Sequence, residues 1–351
     1  MDSPKELLEK LASKNVLSRD EYLHLIKNRD TISDEAASLA RTVCDAIYGK
    51  RIYIRGLIEF TNYCRNNCYY CGIRSENKNA QRYRLMPDEI ISCADRGYEL
   101  GFRTFVLQGG EDMYYSDDIL APLVSTIKQR HPDCALTLSV GERSRDSYKR
   151  LKEAGADRYL LRHETINNTH YGMLHPKEMS RENRMRCLDD LKGLGYQTGA
   201  GFMVSSPGQT EEDLADELLF LKNFRPQMVG IGPFIPHKDT PFADRDSGSA
   251  EMTLFLLSLI RLTLPDVLLP ATTALATVDP LGREKGIASG ANVLMPNLSP
   301  TGVREKYLLY DNKICMGEEA AQCIECLKTR VAKTGYEIVT DRGDHIGQKR
   351  L

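Results

Sequence analysis

From residue 51 onward the chain alternates between short apolar runs and longer amphipathic stretches. The runs lie at 52–60 (IYIRGLIEF), 104–108 (TFVLQ), 135–140 (ALTLSV), 158–162 (RYLLR), 197–204 (QTGAGFMV), 228–234 (MVGIGPF), 267–274 (VLLPATTA) and 291–295 (ANVLM). Each gap is long enough for one helix. The expected helix starts lie near Pro87-Asp88-Glu89, Ser116-Asp117, Ser144-Arg145-Asp146, Ser180-Arg181-Glu182, Thr210-Glu211-Glu212 and Glu251-Met252. Several of these stretches close on a glycine, as at Leu100-Gly101, Ala154-Gly155, Leu194-Gly195 and Ser289-Gly290, the usual helix stop. Strands alternating with helices predict parallel βαβ units and an α/β fold. Eight such units suit a (β/α)8 TIM barrel, which takes about 250 residues and matches 51–298. A doubly wound open sheet is the alternative; the barrel is preferred because closure leaves no strand edge bare.

Two further segments flank the barrel. Residues 1–50 read as helices, one opening on the capping-box-like Ser3-Pro4-Lys5-Glu6 and another on Ser33-Asp34-Glu35-Ala36. Residues 299–351 form a mixed C-terminal extension with its own cysteines.

Composition narrows the function classes. Apolar residues make up 41% and charged residues 27% of 351, as expected of a soluble protein. A net charge of −2 gives no bulk attraction to nucleic acid or to an anionic membrane. No run of about 18 apolar residues is present, and the N-terminus lacks a signal-peptide core. Ten cysteines without a secretory signal point to a reducing cytoplasm, where metal ligation is favoured over disulfides.

The cysteines carry the most specific signal. Cys64, Cys68 and Cys71 stand in the spacing C-x3-C-x2-C, with Tyr70 directly before the third. Three thiolates so placed hold three irons of a cubane cluster and leave the fourth open to a small molecule. A structural zinc site closes with four ligands, and no fourth Cys or His lies nearby in the sequence. A second group, Cys315, Cys323 and Cys326, suits an auxiliary iron–sulfur cluster, a zinc ion, or no metal at all. Cys44, Cys93, Cys134 and Cys187 read as small buried apolar residues.

In a barrel, chemistry gathers at the C-terminal ends of the strands. Those ends supply Glu59 and the cysteine loop, then Gln108-Gly109-Gly110-Glu111-Asp112, whose glycines would let backbone N–H groups approach a ligand. They go on with Ser139 to Glu142, then Arg158, Arg162, His163, Glu164 and Thr165, then Ser205 to Thr210, and Thr272-Thr273. Arg158 and Arg162 fall on one strand face, where two inward arginines would need anionic partners. Plainer readings stand beside these. The arginines can form an outward salt-bridged pair, Glu164 can serve a helix start, Gly109-Gly110 can be a tight turn, and Glu59 can pair with a lysine or arginine. His163, His170 and His175 have no ligand-like spacing and read as structural or exposed.

The cysteine frame resembles the signature of the radical S-adenosylmethionine (radical SAM) superfamily, C-x3-C-x-aromatic-C. Further stretches narrow the likeness: Ile58 to Cys64, Arg82-Tyr83-Arg84, Leu107 to Asp112, Gly155 to Thr165, Gly199-Ala-Gly201, Pro207-Gly-Gln209, Val229 to His237 and Pro270 to Thr273. Together they look like the HydE family of FeFe-hydrogenase maturases, beside the biotin synthases and methylornithine synthases. The resemblance implies a 4Fe-4S cluster on Cys64, Cys68 and Cys71 whose open iron binds S-adenosylmethionine. Reductive cleavage would then give methionine and a 5′-deoxyadenosyl radical. It further implies that Glu164 and Arg184, with Gly109, Gly110 and Ser139, bind the cofactor. Arg158, Arg162, Thr272, Thr273, Tyr307 and Tyr310 would line the substrate cavity, although the two tyrosines can equally pack an amphipathic tail. The implied substrate is a small iron-cysteine carbonyl cyanide species, and the implied partners are other hydrogenase maturases and an electron donor. Cys315, Cys323 and Cys326 match the second iron–sulfur cluster of some HydE proteins. Gly109 departs from the family, where serine is common, so any contact of that hydroxyl is missing here. The competing expectations are a methylornithine synthase-like or biotin synthase-like enzyme, or a non-catalytic iron–sulfur carrier.

Overall fold

The computed structural model describes residues 2–314 and 324–347. The strands are β1 (Arg51–Ile54), β2 (Gly56–Thr61), β3 (Thr104–Gly109), β4 (Ala135–Ser139), β5 (Arg158–Leu160), β6 (Gln197–Ala200), β7 (Met203–Val204), β8 (Met228–Val229), β9 (Gly232–Pro233), β10 (Val293–Leu294) and β11 (Glu337–Val339). Strands β2, β3, β4, β5, β6 and β8 lie side by side in that order, all parallel. Parallel bridges Met228–Leu268, Pro270–Val293 and Leu57–Asn297 carry the ring past the seventh run and back to the first. The result is the (β/α)8 barrel expected from the pattern. The seventh run is reduced to two bridges because Pro270 has no N–H to donate and Thr272 already caps the helix Thr273–Val278.

The helices predicted between runs form at Pro87–Glu99, Asp117–Arg130, Arg145–Glu153, Arg181–Gly193, Glu211–Phe224 and Ala250–Thr263. Local chemistry explains their starts. Ser144, Ser180, Thr210 and Ser249 each accept a hydrogen bond from a first-turn N–H, and Thr210 forms a full capping box with Asp213. Gly101, Gly155, Gly195 and Gly290 follow helices with positive φ, a conformation open to glycine without strain. The N-terminal segment contains Pro4–Lys14, Arg19–Lys27 and Ser33–Tyr48, whose apolar faces pack on the barrel's outer helices.

The C-terminal extension does something the pattern does not announce. β11 pairs in parallel with β1, and the chain beyond it closes the barrel floor. There Arg342 pairs with Asp157 at 3.0 Å, and Asp344 pairs with Arg158 and Gln197 at 2.7 and 2.8 Å. One end of the barrel is therefore sealed by ion pairs, and the opposite end, where the strands finish, carries the cavity.

Candidate active site

The cysteine loop leaves the end of β2 and is stapled from beneath by one arginine. Arg82 donates to the carbonyls of Asn62 (2.5 Å), Ile73 (2.8 Å), Arg74 (2.6 Å) and Asn77 (3.1 Å), spanning both ends of the loop. The Asn62 side chain adds bonds to Gln81, Tyr83 and Lys306. So held, the three thiols are half-buried and crowd one another. Burial, followed by the nearness of Cys64, pushes the Cys71 thiol up to about 12. Burial, then Cys71 and Cys64, raises the Cys68 thiol well above the ordinary range, and Cys64 is raised chiefly by burial.

Such a trio ionises together only around a cationic centre, because only that repays desolvation and mutual repulsion. Among the described residues, no three His, Cys, Asp or Glu side chains gather as one metal ion requires. A cubane asks for something else, one thiolate per iron on separate corners, and the donor set fits that demand. Cys315 and Cys323 lie outside the described residues; Cys326 lies on the helix Ile324–Ala332. Cys44, Cys93, Cys134 and Cys187 are buried free thiols, as small apolar residues would be.

Behind the loop lies a cavity of about 280 Å³, bounded by Cys64 and Cys71, Gly109 and Gly110, Ser139, Arg162, Glu164, Arg184, Tyr307 and Tyr310. Strand register brings these together, since Glu59 pairs with Gln108 and Gln108 with Ser139 at one level of the barrel. The same register sets Arg158 beside Thr137, one inward layer below Ser139. This corrects one expectation: Arg158 does not line the cavity. It is fully buried on the barrel floor, bonded to Asp344, the Arg342 carbonyl and Thr104. Leu160 and Arg162 follow it on the same strand face and do reach the cavity. Tyr159 points the other way, edge-on between Tyr148 and Tyr196.

Thr272 and Thr273 are a second correction. Thr272 accepts from the Leu275 N–H as a helix cap, and Thr273 borders a separate recess of about 40 Å³ beside Glu59 and Lys313; neither lines the main cavity. Glu59 takes the plain reading, buried in a 2.6 Å ion pair with Lys313 and bonded to Asn297 at 2.8 Å. The glycine pair also differs from expectation. The Gly110 N–H donates to the Thr61 carbonyl rather than to the cavity. A Cβ there would lie 2.2 Å from the Tyr63 carbonyl oxygen and 2.7 Å from Cys64 Cβ, so glycine is needed for the β3 end to pack on the cysteine loop. A Cβ at Gly109 would meet Thr61 Cγ2 at 2.7 Å, so Gly109 leaves no room for a serine unless Thr61 moves.

Glu164 has φ +66°, an uncommon conformation for a residue with a side chain and one that collects at functional sites. Its carboxylate accepts from Arg162 at 2.9 Å. Arg184 donates to Glu142 at 2.5 Å and to the Arg162 carbonyl at 2.7 Å. Burial opposes the Arg184 charge, but Glu142 together with Tyr171, Tyr70 and Glu111 more than offsets it and the guanidinium stays charged. Beneath this strand is a dyad with no solvent exposure: His163 Nε2 donates to Glu217 at 2.6 Å, and Glu217 also accepts the Ile166 N–H at 2.7 Å. Gly201 donates to His163 Nδ1, which fixes the proton on Nε2. His175 is likewise structural: Nδ1 faces the Tyr171 carbonyl and Nε2 accepts from Tyr70, and burial lowers its pKa to about 3.

Glu217 is the residue that sequence reasoning passed over, while Glu142, Arg82 and His163 stand in the stretches it named without the partners they hold here. Glu142 acts through Arg184, 42 positions away, and Glu217 through His163, 54 away, separations over which no periodicity speaks, while Arg82 spans partners 5 to 20 positions away.

The radical SAM superfamily model matches residues 58–221. The chain is 46% identical to the FeFe hydrogenase maturase subunit HydE of Thermotoga maritima, over 99% of this chain and 98% of that protein. It is 27% identical to a 3-methylornithine synthase of Methanosarcina acetivorans, over 85% and 83%. In fold it is similar to a crystal structure of methylornithine synthase (TM-score 0.81, 24% identity, 95% of this chain and 97% of that one). It is also similar in fold to the FeFe-hydrogenase maturase HydG (TM-score 0.80, 21% identity, 97% and 77%).

Proposed function

The chain belongs to the radical SAM superfamily and, within it, to the family of its HydE relative; from that premise we propose that it acts in assembly of the FeFe hydrogenase di-iron centre. The observation that carries this reading is the three-cysteine loop at a barrel cavity that Cys64 and Cys71 line. Cys64, Cys68 and Cys71 would hold a 4Fe-4S cluster, and Glu164, Arg162 and Arg184 would orient S-adenosylmethionine. When bound, cluster and cofactor supply one-electron cleavage of the sulfonium to methionine and a 5′-deoxyadenosyl radical.

The residues around them set position and charge. The Glu164 carboxylate suits an ammonium, and the Arg162 and Arg184 guanidiniums suit a carboxylate. Tyr307 and Leu160 restrict water on the inner side of the cavity. Below, Arg55 and Arg158 are buried guanidiniums with Asp344 as the carboxylate beside them, and Arg55 Nε and Nη2 have no hydrogen-bond partner. Burial disfavours the charged form of Arg55 and Arg158, and an anion above them would offset that cost, which favours an anionic substrate, as a cysteine-bound iron carbonyl cyanide would be.

Two experiments test the reading. Anaerobic reconstitution followed by reduction with S-adenosylmethionine should release 5′-deoxyadenosine; a cluster-loaded protein that releases none refutes the radical chemistry. Complementation of a HydE deletion should restore hydrogenase activity. Restoration of methylornithine formation instead, in a strain lacking that synthase, would assign the chain to the neighbouring family.

A further inference from the structure

Five arginines around the cysteine loop and the cavity each face a carboxylate: Arg65 with Glu111, Arg74 with Glu76, Arg84 with Asp112, Arg162 with Glu164 and Arg184 with Glu142. Charge within each pair cancels. Arg82 is different, because among the described residues its guanidinium donates to four backbone carbonyls and to no carboxylate. Two of those carbonyls belong to Asn62 and Ile73, which stand two residues before Cys64 and two after Cys71. A third belongs to Arg74, whose own N–H donates to the Cys71 carbonyl at 3.1 Å. The charge is therefore fixed between the two ends of the loop, beside the bases of Cys64 and Cys71.

Carbonyl dipoles hold a cation in place, but they do not cancel its net charge as a carboxylate would. Burial works against the Arg82 charge, and the sulfurs of Cys64 and Cys71 work in its favour. The relation is reciprocal, since Arg82 favours the ionised form of both thiols. Net charge, hydrogen bonds to the sulfurs and solvent exposure are the levers by which a protein sets the potential of an iron–sulfur cluster. Here one half-buried side chain supplies the first of these.

We propose that Arg82, besides stapling the loop, acts as an uncompensated cation toward the cluster and raises its reduction potential. The inference rests on the radical SAM reading above. In the step concerned, a low-potential one-electron donor loses one electron and the cluster on the loop gains one negative charge. No bond forms or breaks, and no proton moves. A positive charge fixed nearby favours the more negative state, so the equilibrium shifts toward reduction. Arg82 touches neither cofactor nor substrate; it is a positioning residue that acts through the loop and through its charge.

The test uses the full-length protein, reconstituted anaerobically without S-adenosylmethionine, with the midpoint read by electron paramagnetic resonance during a redox titration. Arg82→Lys keeps the charge and loses the planar fork that reaches several carbonyls; Arg82→Gln loses both. At a fixed potential the ratio of reduced to oxidised cluster should fall at least about tenfold in Arg82→Gln, a midpoint lower by about 59 mV. In Arg82→Lys that ratio should stay within about threefold of the parent's, because the unit charge is retained. Iron bound per chain should fall in both variants, since the staple is broken in both. A midpoint does not depend on how many chains carry a cluster, so partial loading still decides. Iron held by Arg82→Lys but not by Arg82→Gln supports the role of the charge. Equal midpoints in all three proteins overturn the proposal, and so does an equal drop in both variants, which assigns the effect to loop shape. If neither variant retains iron, the fork rather than the charge is decisive and the proposal falls as well. A parent that shows the reduced signal yet releases no 5′-deoxyadenosine with S-adenosylmethionine and dithionite sinks the radical reading instead, and the midpoints still decide what Arg82 does.

Discussion

Glu217→Gln removes no atom from the cavity, yet the structure predicts a loss of S-adenosylmethionine affinity. The carboxylate receives two buried donors, His163 Nε2–H at 2.6 Å and the Ile166 N–H at 2.7 Å. A glutamine amide accepts one and must turn its NH2 toward the other. Moving the histidine proton to Nδ1 only transfers the conflict, because the Gly201 N–H already points there. One buried donor is left facing another in every arrangement, at a cost of about 1–3 kcal/mol. Glu164, next to His163, is held at φ +66°, so relaxation of this strand acts on the residue proposed to bind the cofactor. If the whole cost falls on the bound state, affinity drops about 5–150-fold. Calorimetric titration of S-adenosylmethionine into the reconstituted variant measures it, with cluster content fixed by iron analysis. Leu218→Ala, a buried neighbour on the same helix, serves as comparison: it should destabilise by about 2–5 kcal/mol while keeping affinity within twofold. Unchanged affinity in Glu217→Gln, or an equal loss in Leu218→Ala, would refute the reasoning.

Three other outcomes follow from the same geometry. Cys71→Ala should abolish 5′-deoxyadenosine release while Cys323→Ala should retain most of it, measured by chromatography after anaerobic reduction. Gly110→Ala forces a Cβ into the Tyr63 carbonyl and Cys64, so iron bound per chain after reconstitution should fall well below that of the parent protein. Asp344→Asn leaves Arg158 buried without its carboxylate and should cost about 3–5 kcal/mol, read as a lowered thermal midpoint. The pH dependence of this pair has a definite sign. Despite burial, Arg158 and Arg342 hold the Asp344 pKa below its ordinary value, so its stabilisation is full above the unfolded value of about 4 and fades as pH falls through the lower folded value. The parent should therefore lose stability on acidification in that window by more than Asp344→Asn does, in thermal scans at stepped pH.

The chain by itself determined the eight-run rhythm, the helix starts and the cysteine spacing. These depend on neighbours only a few positions away: a serine or threonine accepts from the N–H groups just ahead of it, and three thiols in eight residues share one loop wherever it folds. The pattern also placed Glu164 and Arg162 near the cysteines, because barrel strands end together, whereas Arg184, on the helix Arg181–Gly193, was implied only by the family resemblance. Depth within the barrel needed the tertiary structure. Arg158 and Arg162 share a strand face, but register put the first on the floor and the second in the cavity. Thr272 was spent on a helix cap, and Gly110 on close packing rather than ligand approach. Partners such as Asp344 for Arg158, Glu142 for Arg184 and Lys313 for Glu59 lie 42 to 254 residues apart. A buried charge needs an opposite charge, which sequence can foretell; which one it meets is fixed only when the barrel closes and the C-terminal extension returns beneath it.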